Sequence, residues 1–96
     1  MIATFGDLST KALYDGSPRK DFKTIPPDVH GTALRKLDML NAATALGDLR
    51  SPPGNRLETL AGDLVGWHSI RINDQWRILF RWQGSDANDV QIVVYH

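Results

Sequence analysis

The fold of this chain is decided by residues 67–96, which read WHSIRINDQWRILFRWQGSDANDVQIVVYH. Apolar and polar side chains alternate along three runs of this stretch, at residues 67–72, 76–82 and 90–96. Successive side chains of a strand point to opposite faces of a sheet, so this alternation predicts three strands that each have one apolar face. The pattern favours an antiparallel sheet with one covered side.

The first hairpin of this sheet carries two arginines on its polar face. A three-residue loop at positions 73–75 keeps like faces together and pairs Arg71 with Arg77. Like charges directly opposite each other repel, so a sheet built only for stability would avoid this pair. The pairing indicates a face that meets something anionic, although a single arginine on an open strand is more often a solvated surface charge.

The second hairpin extends this row of polar side chains. Pairing Trp82 with Val90 also keeps like faces together, and it sets Arg77 opposite Tyr95. Arg71, Arg77 and Tyr95 then form one row across three strands, unless a bulge shifts the register. With helices covering the apolar face, we expect the arginine face to be open to solvent or substrate.

The N-terminal half predicts helices that supply this cover. Asp7 can cap a short helix over residues 7–14. A second helix is predicted from residue 27 or 28 to about residue 45, with a proline in its first turn and an apolar stripe at helical spacing. Residues 56–60 are a further candidate strand. Helices followed by an antiparallel sheet predict an α+β fold, N-terminal helices packed on a twisted antiparallel sheet, in a single domain over residues 1–96.

Composition narrows the class of protein further. The chain has 96 residues, 42% of them hydrophobic, no cysteine and a formal net charge of zero. These values argue against global disorder, disulfides and a broadly basic nucleic-acid binder. A local basic patch remains, because residues 64–85 contain three arginines against the single acid Asp74.

The composition also bears on location and cofactors. We expect a cytoplasmic protein with no membrane span, since no apolar run is long enough and the start does not read as a signal peptide. We expect no cofactor and no metal, because the sequence has no phosphate-binding glycine loop and its histidines are scattered.

Beyond these patterns, the sequence resembles the HigB branch of the RelE-like toxins. The SIRINDQWR run at residues 69–77 and the terminal Tyr-His are fairly specific for that branch, and the resemblance covers nearly the whole chain. The stretches that carry it are 35–38, 41–43, 55–58, 62–63, 69–78 and 93–96. The resemblance implies helices packed on a twisted antiparallel sheet.

The resemblance also implies an activity and partners. Toxins of this branch are expected to cleave mRNA on the ribosome without a metal ion, and so to inhibit translation. A cognate antitoxin with a helix-turn-helix neutralises such a toxin, and the complex binds operator DNA through the antitoxin. By position, Arg77, Tyr95 and His96 match the catalytic residues of the family, while Arg56 and Arg71 match basic positions near its site.

The chemistry of these residues suits the implied reaction. In it the 2′-hydroxyl of the RNA attacks the adjacent phosphorus, which requires charge stabilisation and proton transfer. Arg77 and Arg71 can donate charged hydrogen bonds to phosphate oxygens. His96 is the best proton-transfer group by its intrinsic pKa, and Tyr95 could position the 2′-hydroxyl or stack on a base. Trp67 shares the Arg71 face and is a candidate base-stacking residue.

Two other interpretations remain open at this point. Val94 stands where many relatives have an acidic residue before the Tyr-His pair, and Ala61 stands where many have a lysine. A catalytically weakened or inactive member would act as an antitoxin- or RNA-binding module. The third interpretation is a plain α+β domain with a solvated arginine face.

Overall fold

The structure is a computed structural model that describes residues 1–94, and it confirms the α+β fold. Within these residues two α-helices precede four strands: α1 Leu8–Asp15, α2 Pro27–Ala42, β1 Glu58–Thr59, β2 Trp67–Arg71, β3 Trp76–Gln83 and β4 Asp86–Val94. Short 3₁₀ turns lie between them at Arg19–Phe22, Leu46–Arg50, Pro53–Asn55 and Gly62–Leu64. The strands form one antiparallel sheet in the order β1-β2-β3-β4.

Helix α1 has the ends that its sequence predicts. The Asp7 carboxylate accepts a hydrogen bond of 2.7 Å from the backbone N–H of Thr10, which satisfies one of the free donors of the first turn. Gly16 ends the helix in the left-handed conformation at φ 75°. Glycine adopts this conformation without the steric cost that a side chain brings.

Helix α2 supplies most of the cover for the sheet. It begins with Pro27, whose missing N–H costs nothing in the first turn, and ends before Ala43, which is extended. The end therefore falls a few residues earlier than the predicted one. The predicted stripe is buried to 1% exposure or less, at Val29, Ala33, Leu37 and Leu40. Burying each large aliphatic side chain contributes about 1.5–3 kcal/mol.

The first hairpin has the predicted register. Arg71 pairs with Arg77, and Ile70 pairs with Ile78 in the core. Asn73 stabilises the turn. Its side-chain oxygen accepts hydrogen bonds from the backbone N–H groups of Gln75 at 2.8 Å and Trp76 at 2.9 Å. An asparagine side chain that binds the backbone two or three residues on is a usual means of closing a short turn.

The second hairpin does not have the predicted register. Trp82 pairs with Ala87 rather than with Val90, because the turn contains only two residues and β4 already begins at Asp86. The register then shifts by one residue in the middle of the hairpin, where Asp89 has a φ of 53°. Such a shift is a bulge, which leaves one residue unpaired and restores the apolar face of the strand.

The observed register also changes the partner of Arg77 on the arginine face. Arg77 pairs with Val93, and Trp76 pairs with Val94, so the predicted pairing of Arg77 with Tyr95 is wrong by two residues. The parity of the strand is retained, because a shift of two residues keeps each side chain on its face.

The outer edge of β4 is covered by the N-terminal segment. Ile2 and Phe5 form short parallel bridges to this strand. Farther along, the buried Thr10 hydroxyl of α1 accepts a hydrogen bond of 2.9 Å from the backbone N–H of Ile92. An edge strand with satisfied backbone groups offers little template for pairing with another chain.

Candidate functional site

Arg77 lies at the centre of a hydrogen-bonded cluster. Its Nε donates to the Ser69 hydroxyl at 2.8 Å, and its Nη2 donates to the backbone carbonyl oxygens of Arg56 at 2.6 Å and of Ser69 at 3.3 Å. Nη1 lies 4.0 Å from a carboxylate oxygen of Glu58. These acceptors come from the turn before β1 and from β1 and β2, so the cluster is assembled from three neighbouring segments.

This cluster corrects one expectation about the arginine face. Arg77 is only 4% exposed, so the face is not open at this position. The cause is the segment that leads into β1, because Arg56 and Glu58 lie against the guanidinium group. Burial of a charged side chain is tolerated when its donors have partners, as they do here.

Arg56 contributes its backbone, and its side chain is exposed. The residue follows the turn Pro53–Asn55 and adopts a left-handed conformation, with φ 45° and ψ 57°. Its N–H donates to the carbonyl oxygen of Pro53 at 3.1 Å, and its own carbonyl oxygen accepts from Arg77. The structure therefore brings the carbonyl group of this predicted substrate-binding residue to Arg77.

Arg71 lies beside the cluster with its own partner. Its guanidinium group forms an ion pair with Asp74 in the adjacent turn, and its side chain is 29% exposed. Although Arg71 and Arg77 are direct neighbours across the hairpin, their guanidinium groups bind different acceptors. Separate acceptors reduce the cost of the like-charge pair.

Trp67 also lies on the arginine face, and Arg81 covers one side of its ring. The residue pairs with Arg81 across β2 and β3, and the guanidinium carbon of Arg81 lies 5.4 Å from the centre of the indole ring. This is the geometry of a cation–π contact. A base could reach this face of the ring only by displacing Arg81, which is also 3.9 Å from a carboxylate oxygen of Asp89.

The predicted catalytic residues Tyr95 and His96 lie outside the described residues. The last described residue is Val94, which is 47% exposed and pairs with Trp76. The roles assigned to Tyr95 and His96 stay predictions.

A buried polar pair was missed by the sequence patterns. Lys36 on α2 is 9% exposed, and its Nζ donates a hydrogen bond to the side-chain oxygen of Asn55, which is fully buried. Burial lowers the pKa of Lys36 below its ordinary value, and the positive charges of Arg35 and Arg71 lower it further. The available signal was periodicity, since position 36 falls on the apolar stripe of α2, where a lysine needs a buried partner.

His68 has the core or edge position that its strand parity predicts. Its ring lies 5.8 Å from that of Phe80, and Nδ1 lies 3.0 Å from the Thr59 hydroxyl. Burial lowers the pKa of His68 below its ordinary value. A neutral imidazole is therefore favoured in the folded protein.

Residues 1–94 contain neither a cluster of metal ligands nor a helix that could span a membrane. No three histidine or acidic side chains in this part of the chain come together as a metal site would require. Likewise, no helix in it is both long and apolar enough to cross a bilayer.

With helices on one face of an antiparallel sheet and an arginine cluster on the other, the molecule has the architecture that the sequence resemblance implies. A family model described as "RelE-like toxin of type II toxin-antitoxin system HigB" matches residues 4–96. The chain therefore belongs to the HigB-like toxins, and a type II system implies an antitoxin as its partner.

Individual relatives agree with this family. Toxin HigB-1 of Vibrio cholerae is 44% identical over 82 residues, which are 85% of this chain and 84% of the relative. An uncharacterized protein of Haemophilus influenzae is 37% identical over 68 residues, 71% of this chain and 67% of the relative. Endoribonuclease HigB of Proteus vulgaris is 29% identical over an alignment of 101 positions that covers 100% of both chains.

Proposed function

We propose that this toxin is an endoribonuclease that cleaves mRNA on the ribosome, without a metal ion, and so inhibits translation. The observation that carries the proposal is the guanidinium group of Arg77, held by Ser69 and Arg56 before any substrate binds. A relative that aligns over the full length is named an endoribonuclease. Donors that are already oriented stabilise a developing charge without the cost of reorganising during the reaction.

In the proposed reaction the RNA supplies its own nucleophile. The 2′-oxygen attacks the adjacent phosphorus, the bond to the 5′-oxygen of the next nucleotide breaks, and the products are a cyclic phosphate and a free 5′-hydroxyl. Arg77 would stabilise the negative charge on the phosphorane oxygens after the RNA displaces the Glu58 side chain, which lies 4.0 Å from Nη1. The family resemblance assigns the removal and return of protons to Tyr95 and His96, and the intrinsic pKa of His96 suits that role best.

The surrounding side chains would bind and orient the RNA. Arg71 would exchange Asp74 for a phosphate, since an exposed ion pair is worth little. The exposed side chain of Arg56 would contact a second phosphate. Trp67 would stack on an unpaired base after Arg81 moves from its ring.

The partners in this proposal are of two kinds. The ribosome and its mRNA are the target, and a helix-turn-helix antitoxin in the cytoplasm is the inhibitor. Operator DNA would contact the toxin only as part of the complex with that antitoxin.

The proposal is tested by induction of the toxin in a bacterial host with mapping of mRNA 5′ ends. We expect growth arrest and new cuts in translated mRNA from wild type, and neither from Arg77→Ala. Arg19→Ala is the matched control, because it removes an exposed arginine that lies on the turn Arg19–Phe22 rather than on the sheet. Toxin that has been treated with a chelator and then freed of it is added to purified ribosomes, which tests whether the protein needs a metal ion of its own. A toxic, cleaving Arg77→Ala protein would contradict the assignment.

The same experiment tests the binding-module alternative. Val94 leaves an exposed apolar side chain just before the Tyr-His pair, and Ala61 lacks a basic group. If the folded wild type arrests growth without new 5′ ends, binding without cleavage is the function. Substituting an acid for Val94 and a lysine for Ala61 would then be expected to restore cleavage.

A further inference from the structure

The buried pair of Lys36 and Asn55 ties helix α2 to the turn that precedes the arginine cluster. The side-chain oxygen of Asn55 accepts from Lys36, while its side-chain nitrogen donates to the carbonyl oxygens of Leu49 at 3.1 Å and Ser51 at 3.3 Å. Asn55 is completely buried, so water cannot reach its side chain. These bonds therefore satisfy polar groups that would otherwise have no partner.

The next residue along the chain is Arg56, and its backbone conformation depends on this turn. A residue with a side chain is strained in the left-handed region, and it stays there only when its surroundings hold it. Arg56 is held from one side by its N–H bond to Pro53 and from the other by Arg77, which binds its carbonyl oxygen. Asn55 lies between these contacts and helix α2.

A continuous path of contacts therefore runs from α2 to the guanidinium group. It passes from the Lys36 amine to the Asn55 amide, through one peptide unit to the Arg56 carbonyl oxygen, and from there to Nη2 of Arg77 at 2.6 Å. Since α2 is packed against the sheet by its buried stripe, the helix is a rigid anchor for the path.

The amine of Lys36 is held inside the protein. The residue is 9% exposed, and its amine is engaged by the Asn55 side chain. Burial and the charges of Arg35 and Arg71 lower the pKa of Lys36, so the charged form of its amine is less stable here than in water. The amine donates a hydrogen bond in either form. A group in this position can influence cleavage through the residues that it holds.

We propose that Lys36 is a positioning residue for Arg77: its hydrogen bond to Asn55 holds the Arg56 carbonyl oxygen in place and so orients the Arg77 guanidinium group. The inference rests on the proposed role of Arg77 in RNA cleavage. It assigns a function to a lysine that would otherwise serve only to fill the helix–turn interface.

The experiment compares Lys36→Met with Lys11→Met in the full chain. Methionine keeps the length and apolar stem of lysine but removes the donor, and Lys11 is an exposed lysine on α1 that serves as the matched control. For Lys36→Met we expect the single-turnover cleavage rate on programmed ribosomes to fall about tenfold to a hundredfold, as for other small displacements of a reacting group. KM should stay within about twofold, because interactions made only in the transition state affect kcat. Lys36→Arg, which restores a donor, should recover most of the rate.

A second readout does not require activity. In protein labelled with ¹⁵N-arginine, the Nη2 hydrogens of Arg77 report on the bond to the Arg56 carbonyl oxygen, whereas Arg81 is exposed. We expect Lys36→Met to shift the Arg77 signal and speed its hydrogen exchange at least about tenfold, as loss of a fixed partner predicts. The Arg81 signal should not change, and neither signal should change in Lys11→Met.

The outcomes separate this inference from the proposed function. An unchanged Arg77 signal with an unchanged cleavage rate in a folded Lys36→Met protein overturns the positioning role. A wild type that does not cleave overturns the proposed function, and the Arg77 signal then decides whether Lys36 still positions the guanidinium group. If Lys36→Met does not fold, Lys36→Gln replaces it, because the shorter amide retains a donor with poorer reach, and it should change the same readouts by a smaller amount.

Discussion

The two ends of strand β3 carry the same residue type on the same face, with opposite surroundings. Arg77 is 4% exposed, and backbone and hydroxyl oxygens from two other segments accept its hydrogen bonds. The side chain of Arg81 is 55% exposed, lies over Trp67 and approaches Asp89 only to 3.9 Å.

The difference shows how a sheet turns one arginine into a preorganised group. An exposed arginine keeps its rotamer freedom, and its ion pairs are worth little because water and salt compete for them. A buried guanidinium group with fixed acceptors has already lost that freedom on folding. Its orientation is then available to a reaction without further cost.

The strongest test of this comparison keeps the charge and changes the geometry. Lysine cannot reproduce the planar set of donors that binds Ser69 and Arg56 together. We expect Arg77→Lys to lower the single-turnover cleavage rate by about a hundredfold, within the range for loss of an oriented donor. Arg81→Lys should retain the wild-type rate within about threefold, because an exposed group contributes little. Equal losses in both variants would mean that charge alone matters.

A second test removes an acceptor of Arg77. Ser69 is 3% exposed, and its hydroxyl accepts from the Nε of Arg77. In Ser69→Ala the buried donor loses this partner, so we expect the free energy of unfolding to fall by about 1–3 kcal/mol. Urea denaturation measures this change, with the exposed Ser85→Ala as its control. A Ser69→Ala protein as stable as that control would show that the hydrogen bond from Arg77 to the Ser69 hydroxyl adds nothing to stability.

A third test concerns the half-exposed arginine beside the cluster. Arg71 is intermediate between Arg77 and Arg81 in exposure. If it contacts a phosphate, Arg71→Ala should weaken ribosome binding about threefold to tenfold and reduce the salt dependence of binding by about one ion, since each phosphate contact releases one. Binding measured over a range of potassium concentrations checks this. A salt slope identical to that of the wild type would exclude the contact.

The smallest expected effect is a pH dependence of stability. Burial lowers the pKa of His68 in the folded state. As pH falls below about 6.5, the unfolded chain binds a proton at this residue more readily than the folded protein does. The free energy of unfolding should therefore fall between pH 7 and pH 5. The fall should be shallower in His68→Gln, as urea denaturation at each pH would measure. Identical slopes would contradict a lowered pKa of His68 in the folded protein.

Much of the fold could be predicted because it depends on short-range patterns. The apolar faces of residues 67–72 and 76–82 determined the pairing of Arg71 with Arg77. The second hairpin was predicted with the wrong register, because its two-residue turn at Gly84 and the bulge at Asp89 leave the alternation of apolar residues almost unchanged. The face of the sheet on which a side chain lies was thus easier to predict than the residue with which it pairs on the neighbouring strand.

The sequence predicted which residues form the candidate site better than it predicted their burial and their hydrogen-bond partners. The family resemblance identified Arg77, and Tyr95 and His96 remain predictions beyond the described residues. Nothing local indicated that Arg77 is buried, since its cover comes from the Arg56 carbonyl group and Glu58. Those contacts join residues about twenty positions apart, and strand periodicity carries no information over that distance.

By itself, the sequence determined the fold class, the family, the apolar stripe of α2 and the face on which the arginines lie, because each follows from periodicity or from a motif. Only the tertiary structure decided which arginine is held and which is solvated, and it alone joined Lys36 to Asn55. The physical reason is that burial and hydrogen-bond partners depend on segments distant in the chain, which meet only when the helices and the turn before β1 pack on the sheet.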